Sequence, residues 1–226
     1  MPDLSKNLHD RSRRSRYYKR PLDLFILVVS HIFLLPLWLF LWTLIPLLVW
    51  LYDRGPIFFR QERMGKNGQT FTIMKFRTMN YKEDDKGPSW TMERDNRVTL
   101  VGKFLRRTAL DELPGLISIW KGDMSFVGPR ALETEEHRLL ENQVPGFDAR
   151  LQVSPGLTGL AQVKDKFDFA KDKLRYDLEY IERMNIGLDL ALLLISLSNT
   201  FLAKWDRRSG KTELLDISSG DESGPI

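Results

Sequence analysis

The residues best suited to chemistry lie between Lys103 and Arg130. Two adjacent carboxylates, Asp111 and Glu112, stand shortly before Pro114 in the run Thr108-Ala109-Leu110-Asp111-Glu112-Leu113-Pro114. Proline is tolerated only in the first turn of a helix, so the spacing predicts a helix start near Asp111. Both carboxylates then meet unpaired N–H groups and the positive end of the macrodipole, which favour the ionised form. The structural alternative is that Asp111 is simply an N-cap. In the functional alternative one carboxylate is a nucleophile and its neighbour a metal ligand or base.

The surroundings sharpen the choice. Lys103, Arg106 and Arg107 lie upstream, where they can simply form a solvated basic face. Downstream runs Lys121-Gly122-Asp123-Met124-Ser125-Phe126-Val127-Gly128-Pro129-Arg130. Asp123 can bind a hard cation through oxygen, and Arg130, after Gly-Pro, can fork two phosphate oxygens. Carboxylates, cations and tight turns together suit phosphate chemistry. No GxxxxGK[ST], GxGxxG or HExxH run is present, so the usual nucleotide-hydrolase and zinc-protease routes lack support. Zero cysteines exclude a disulfide framework, a thiolate zinc site and a cysteine nucleophile. The net charge of +4 is mild and points to lipid headgroups or phosphates as partners, not to nucleic acid.

The elements that position these residues begin with an anchor. From Leu24 to Tyr52 there is no charged residue, and only Ser30, His31 and Thr43 are polar. That exceeds the roughly 20 residues that cross a bilayer as a helix, and no small-residue cleavage site follows, so it is not a signal peptide. Lys6, Arg11, Arg13, Arg14, Arg16, Lys19 and Arg20 precede it, and Arg54, Arg60, Arg63 and Lys66 follow. Basic flanks favour the cytoplasmic face, and here both are basic. A helix that breaks near Pro36 and returns to the same face satisfies both flanks; a kinked single pass satisfies only one. Pro46 is a second weak point, and Trp38, Trp42, Trp50 and Tyr52 suit a segment returning to the interface.

Beyond the anchor the pattern is α+β and mostly helical. Residues 56–60 and 71–77 bracket a Gly/Asn turn and predict a short β-hairpin. Residues 80–97 read as a loop. Helical spacing appears over 98–107 (with a basic face), 110–120, 133–141 and 167–183. Residues 153–163 read as an irregular Gly/Pro-rich run. Residues 186–202 are apolar apart from Asp189 and Asn199, and either pack in the core or lie in the headgroup layer. The tail from 206 is Ser/Gly/Asp-rich and reads as disordered. The expected layout is a basic arm (1–20), a re-entrant membrane helix (21–52), a cytosolic catalytic domain with interfacial amphipathic helices (53–205) and the tail (206–226).

These residues carry a resemblance. Leu110-Asp111-Glu112-Leu113-Pro114 with the 121–130 run resembles the core signature of the bacterial sugar transferase family, the monotopic phosphoglycosyl transferases. Lys19-Arg20-Pro21-Leu22-Asp23, Met74-Lys75-Phe76-Arg77-Thr78-Met79 and Pro155-Gly156-Leu157-Thr158-Gly159-Leu160-Ala161-Gln162-Val163 match in family order, from about residue 17 to about residue 203. With no multi-pass region ahead of the anchor, the chain looks like the compact form.

The resemblance implies transfer of a sugar 1-phosphate from a UDP-sugar to polyprenyl phosphate, with UMP leaving. It implies Asp111 as nucleophile of a covalent phosphosugar intermediate and Glu112 as its acidic partner. Mg²⁺ is implied on Asp111, Glu112 and Asp123, and phosphate or substrate binding by Lys75, Arg106, Arg130, Thr158 and Gln162. It also implies the re-entrant anchor, contact with membrane lipids, and a place on the cytoplasmic face of the bacterial inner membrane; the oligomeric state, a homodimer included, stays open. Three departures stand out: Leu35-Pro36 where Ser-Pro often marks the bend, Ala131 where a second proline often follows, and Ser154 where an arginine often precedes Pro-Gly. An inactive membrane-anchored adaptor and, more weakly, a lipid phosphatase are the rival readings.

Overall fold

The computed structural model describes residues 4–81, 96–164 and 169–205. Two helices lead the chain: α1 (Leu4–Phe33) and α2 (Leu35–Asp53). Residue 20 is no structural boundary, since α1 runs through it and through Pro21. The break falls at Leu34 (φ −107°, ψ 21°), with Pro36 in the first turn of α2. Pro36 has no N–H to continue the ladder and disfavours helical backbone just before it, so one helix becomes two. Ser30 O accepts from Leu34 N (2.9 Å) and from Trp38 Nε1 (3.1 Å), and the Trp38 ring stacks on His31 at 4.8 Å. Pro46 leaves α2 unbroken. Among the described residues, α2 alone is a helix long and apolar enough to cross a membrane.

The two helices dock on the rest of the protein on either side of the break. On α2, Ile45 and Val49 pack with Phe76 and Leu105, and Asp53 pairs with buried Arg77 (Nη1 to Oδ2 2.6 Å). On α1, Leu27 joins Ile73, Leu116, Ile119 and Met124. The segment around the break is exposed instead: Ile32, Phe33, Leu35, Leu37, Leu39 and Phe40 all face outward.

The expected hairpin is present as β1 (Phe58–Met64) and β2 (Thr70–Phe76), antiparallel with Phe58 opposite Phe76 and Met64 opposite Thr70. Asn67 (φ 55°) and Gly68 (φ 75°) supply the left-handed turn that a two-stranded ribbon needs. Then follow α3 (Leu100–Thr108), a 3₁₀ segment (Leu110–Gly115), α4 (Leu116–Lys121) and β3 (Ser125–Val127). After these come α5 (Thr134–Gln143), β4 (Gly156–Thr158), α6 (Leu160–Lys164), α7 (Ala170–Arg183) and α8 (Ile186–Phe201).

Three expectations need correction. The 110–120 helix starts at Leu116, because Pro114 is accommodated in a 3₁₀ turn instead of an α-helical first turn. Asp111 is therefore no N-cap; Ala109 occupies that position, without a side-chain cap. The 153–163 run is ordered, with β4 pairing parallel to β3 (Ser125 opposite Gly156, Val127 opposite Thr158) before α6 begins. Backbones approach so closely there that a Cβ on Gly156 would lie 2.0 Å from Gly128 N, which is why glycines hold both places.

Helix α8 packs in the core along one face and is exposed along another. Asp189, Leu192 and Ser196 are buried, while Leu190, Leu194, Leu197 and Phe201 face outward. On α3, Gly102, Leu105 and Thr108 are buried, and Leu100, Lys103 and Phe104 are exposed. Most of the 80–97 loop and the tail from 206 lie outside the described residues.

Candidate active site

Strand β2 and the 3₁₀ segment build the centre. Side chains two apart on a strand share a face, so Ile73 and Lys75 both look toward residues 110–116. Ile73 packs on Leu116, and Lys75 Nζ donates to Glu112 Oε1 at 2.7 Å. Arg130 Nη2 donates to the same oxygen at 3.2 Å. Asp111, 9% exposed, lies beside this triad. The chain reaches it through Ala109, held at φ 52° while its N–H caps α3 on the carbonyls of Leu105 and Arg106. A left-handed alanine is costly, and such strain clusters at functional sites. Arg106 leaves the last turn of α3 and donates from Nε to Thr78 Oγ1 at 2.8 Å.

The presentation of Arg130 depends on distant parts of the chain. Arg150, 1% exposed, donates to Arg130 O (2.8 Å) and pairs with Asp177 (2.7 Å). Lys19 of α1 donates to Val127 O (2.7 Å) and to Asp189 Oδ2 (2.8 Å). Asp23 accepts from Ser125 Oγ and Phe126 N, both at 3.0 Å. Arg20 donates to the carbonyls of Ile119 and Trp120. The Lys-Arg-x-x-Asp entry thus clamps the strand that leads to Arg130.

Lys75, Arg106, Asp111, Glu112, Arg130 and Thr158 all line one cavity of about 1510 Å³. Its other walls include apolar residues of the helix pair, Leu34, Leu37, Trp38 and Leu41 among them. Two expected members are not brought here. Asp123 is exposed on the turn after α4, where left-handed Gly122 (φ 94°) ends the helix and turns the chain away from the cavity. Gln162 is buried but outside the lining; its Nε2 donates to Leu157 O at 3.1 Å, bracing the β4–α6 turn. Thr158, though in the lining, shares a 2.6 Å hydrogen bond with Ser196.

Arg63 is the member that sequence reasoning missed, having counted it only as a flanking charge. It lines the cavity and donates from Nη1 to Ala131 O at 3.1 Å. The hairpin register carried the signal: Gln61 opposes Ile73 and Arg63 opposes Phe71, so Arg63 shares the face of Lys75. Among the described residues, the lining carries Arg60, Arg63, Lys75, Arg77, Arg97, Arg106, Arg130 and Lys173 against Glu62, Asp111, Glu112, Glu133 and Glu136, so cations outnumber carboxylates by eight to five. The surplus suits an anion.

Burial disfavours every charge here, but unequally. Glu112 would be raised by burial, yet Lys75 and Arg130 outweigh that and hold its carboxyl at about 2. Asp111 is raised, first by burial and then by the Glu112 charge, against the pull of Lys75, Arg106 and Arg130. Lys75 is lowered by burial, with Glu112 opposing. One carboxylate is thus fixed as an anion, while its neighbour's charge awaits the contents of the cavity. Mg²⁺ characteristically takes one or two carboxylates plus substrate phosphates. Asp111 and Glu112, adjacent on one turn of the cavity wall, fit that donor set; Asp123 does not join it.

Comparison with known proteins gives this site its relatives. A family model described as bacterial sugar transferase matches residues 14–203. The UDP-glucose:undecaprenyl-phosphate glucose-1-phosphate transferase of Caulobacter vibrioides is 38% identical over 182 residues, 78% of this chain and 67% of that protein. The Escherichia coli protein of the same name is 37% identical over 166 residues, 71% of this chain and 36% of its own length. A putative undecaprenyl-phosphate N-acetylgalactosaminyl 1-phosphate transferase of Bacillus subtilis is 35% identical over 147 residues, 65% of this chain and 80% of that protein. The chain therefore spans about a third of the Escherichia coli relative's length and larger shares of the other two. A match over this much of the sequence, on residues that converge in one cavity, establishes that the chain belongs to the bacterial sugar transferase family.

Proposed function

We propose that the protein transfers a sugar 1-phosphate from a UDP-sugar to polyprenyl phosphate at the cytoplasmic face of the bacterial inner membrane. The observation that carries this reading is Asp111, buried in a cavity that combines an excess of cationic side chains with an apolar wall from α1 and α2. Lys75, Arg130, Arg63 and Arg106 draw in the donor diphosphate, whose charge the site's surplus complements. Lys75, Arg106 and Arg130 pull Asp111 toward its ionised form, against burial and the Glu112 charge. An Asp111 carboxylate oxygen then attacks the sugar-bearing phosphorus, and the phosphoanhydride bond breaks with its electron pair leaving on UMP. A phosphate oxygen of the polyprenyl acceptor attacks the same phosphorus, the acyl phosphate bond breaks, and Asp111 is regenerated. Mg²⁺, held by Asp111 and Glu112, would neutralise charge on the diphosphate.

The membrane part of the reading rests on the helix pair. The middle of α1 is bound through Lys19, Arg20 and Asp23, and the end of α2 through the Asp53–Arg77 pair, to one and the same body. Between these tethers lies the exposed apolar segment around Leu34. A segment that dips into one leaflet and returns accounts for both, and it brings Asp111 to headgroup level. Extracting a polyprenyl chain into water would cost about 0.8 kcal/mol per CH₂. The outward apolar residues of α3 and α8 suit the same interface.

The test is direct. The purified full chain, given Mg²⁺, polyprenyl phosphate and a panel of UDP-sugars, is expected to release UMP with at least one sugar. Silence across the panel would favour an adaptor, and free phosphate without a UDP-sugar would favour a phosphatase. Tags at both ends are expected to resist impermeant reagents in intact cells; labelling of one end alone would mean a full crossing.

A further inference from the structure

Beside Arg63 the same cavity wall carries Glu133, Glu136 and Lys173. The field at Arg63 joins the two groups: Arg130 and Glu112 act on it, and so do Glu136 and Glu133. Glu133 is fixed by a backbone bridge to Arg63 and leads directly into α5. Glu136, in the first turn of α5, lies 3.6 Å from Lys173 of α7, whose side chain is 5% exposed. Neither the carboxylate chemistry nor the phosphate grip just described uses these three groups.

We infer that Glu133, Glu136 and Lys173 form the subsite that reads the hydroxyl groups of the donor's sugar; the inference rests on the transfer reaction proposed above. Its net charge is negative, two carboxylates against one ammonium, so it repels the diphosphate and the lipid phosphate alike. It is also too polar for a hydrocarbon chain. A neutral sugar hydroxyl is both donor and acceptor, which a carboxylate beside an ammonium satisfies from both sides. Arg97 and Arg106, elsewhere in the lining, suit the anionic nucleotide half. Because the sugar hangs on the phosphorus that Asp111 attacks, a subsite next to Arg63 holds it where the reaction needs it. Charged groups that already pair with each other discriminate well: a hydroxyl of the wrong configuration leaves one of them desolvated without a partner.

The experiment compares the full-length protein with Glu136→Gln and Lys173→Met in kcat/KM over a UDP-sugar panel, alongside Kd for UDP, which lacks the sugar. The expected result is a loss of about 10- to 100-fold for the preferred UDP-sugar, a smaller ratio between it and its epimers, and UDP affinity within twofold of the parent. An unchanged ratio among sugars overturns the inference, and so does a loss of UDP affinity equal to that for the UDP-sugar, which would assign the groups to the nucleotide. If the two buried-pair variants fail to fold, Glu133→Gln, on a half-buried residue, decides by the same ratio. A parent protein that releases no UMP with any donor defeats the transfer reading itself, an outcome distinct from turnover with unaltered selectivity.

Discussion

Two buried groups of charges hold this molecule together in opposite ways. At the α1 entry, Lys19 and Asp189 pair at 2.8 Å, and Asp189 also accepts from Tyr18 OH (3.1 Å) and Tyr180 OH (2.7 Å). Lys19 spends a further proton on Val127 O. This cluster is closed, each polar group meeting another of the chain. Around Asp111 the cations outnumber the carboxylates and the group opens on a large cavity. The difference separates a clamp from a receptor: the first spends its electrostatics on the fold, the second keeps some for a ligand.

The comparison can be broken by substitution. Asp111→Asn is expected to lower turnover by about 10⁴-fold or more and to abolish labelling by sugar-labelled donor; a surviving adduct would reassign the nucleophile. Lys75→Met releases Glu112 from its low pKa and removes a phosphate partner, so kcat/KM is expected to fall about 10²- to 10³-fold, with the fold intact by circular dichroism. Lys19→Met should act in the other currency, costing about 3–5 kcal/mol of stability by leaving Asp189 buried without its cation. Lys19→Met with Asp189→Asn should recover much of that loss in detergent-solubilised unfolding, and a double variant as unstable as the sum of the singles would mean the two groups do not form a pair.

The smallest effect sharpens the contrast most. Because Asp111 is raised in the folded protein, its ionisation opposes folding above the unfolded carboxyl's pKa and has no effect once both states are protonated. Asp111→Asn is therefore expected to raise Tm at neutral pH, with the gain shrinking as pH falls toward about 4 and absent below it. Glu112, held low, has the reverse sign: its contribution is present above the ordinary glutamate pKa and is lost as pH falls toward about 2. Equal Tm for Asp111→Asn and the parent across this range would mean the site carries no such strain.

Local rules determined a good deal of this protein. A long uncharged run with a proline near its middle breaks into two helices, alternation around Asn67-Gly68 makes a hairpin, and apolar spacing makes α3 and α7. The carboxylate pair and Arg130 were also legible from residue type and spacing, while Lys75 and Arg106 stood out only through the family resemblance. What only the tertiary structure decided is who meets whom. Asp123 and Gln162 have suitable chemistry but are turned elsewhere by Gly122 and by the β4–α6 turn. Arg63, Glu136 and Lys173 come from three separated elements, and no local pattern states their distances. Asp111 was expected to be ionised by a helix N-terminus; burial and a neighbouring charge govern it instead. Charge balance depends on surroundings assembled from the whole chain, which short-range sequence preferences do not encode.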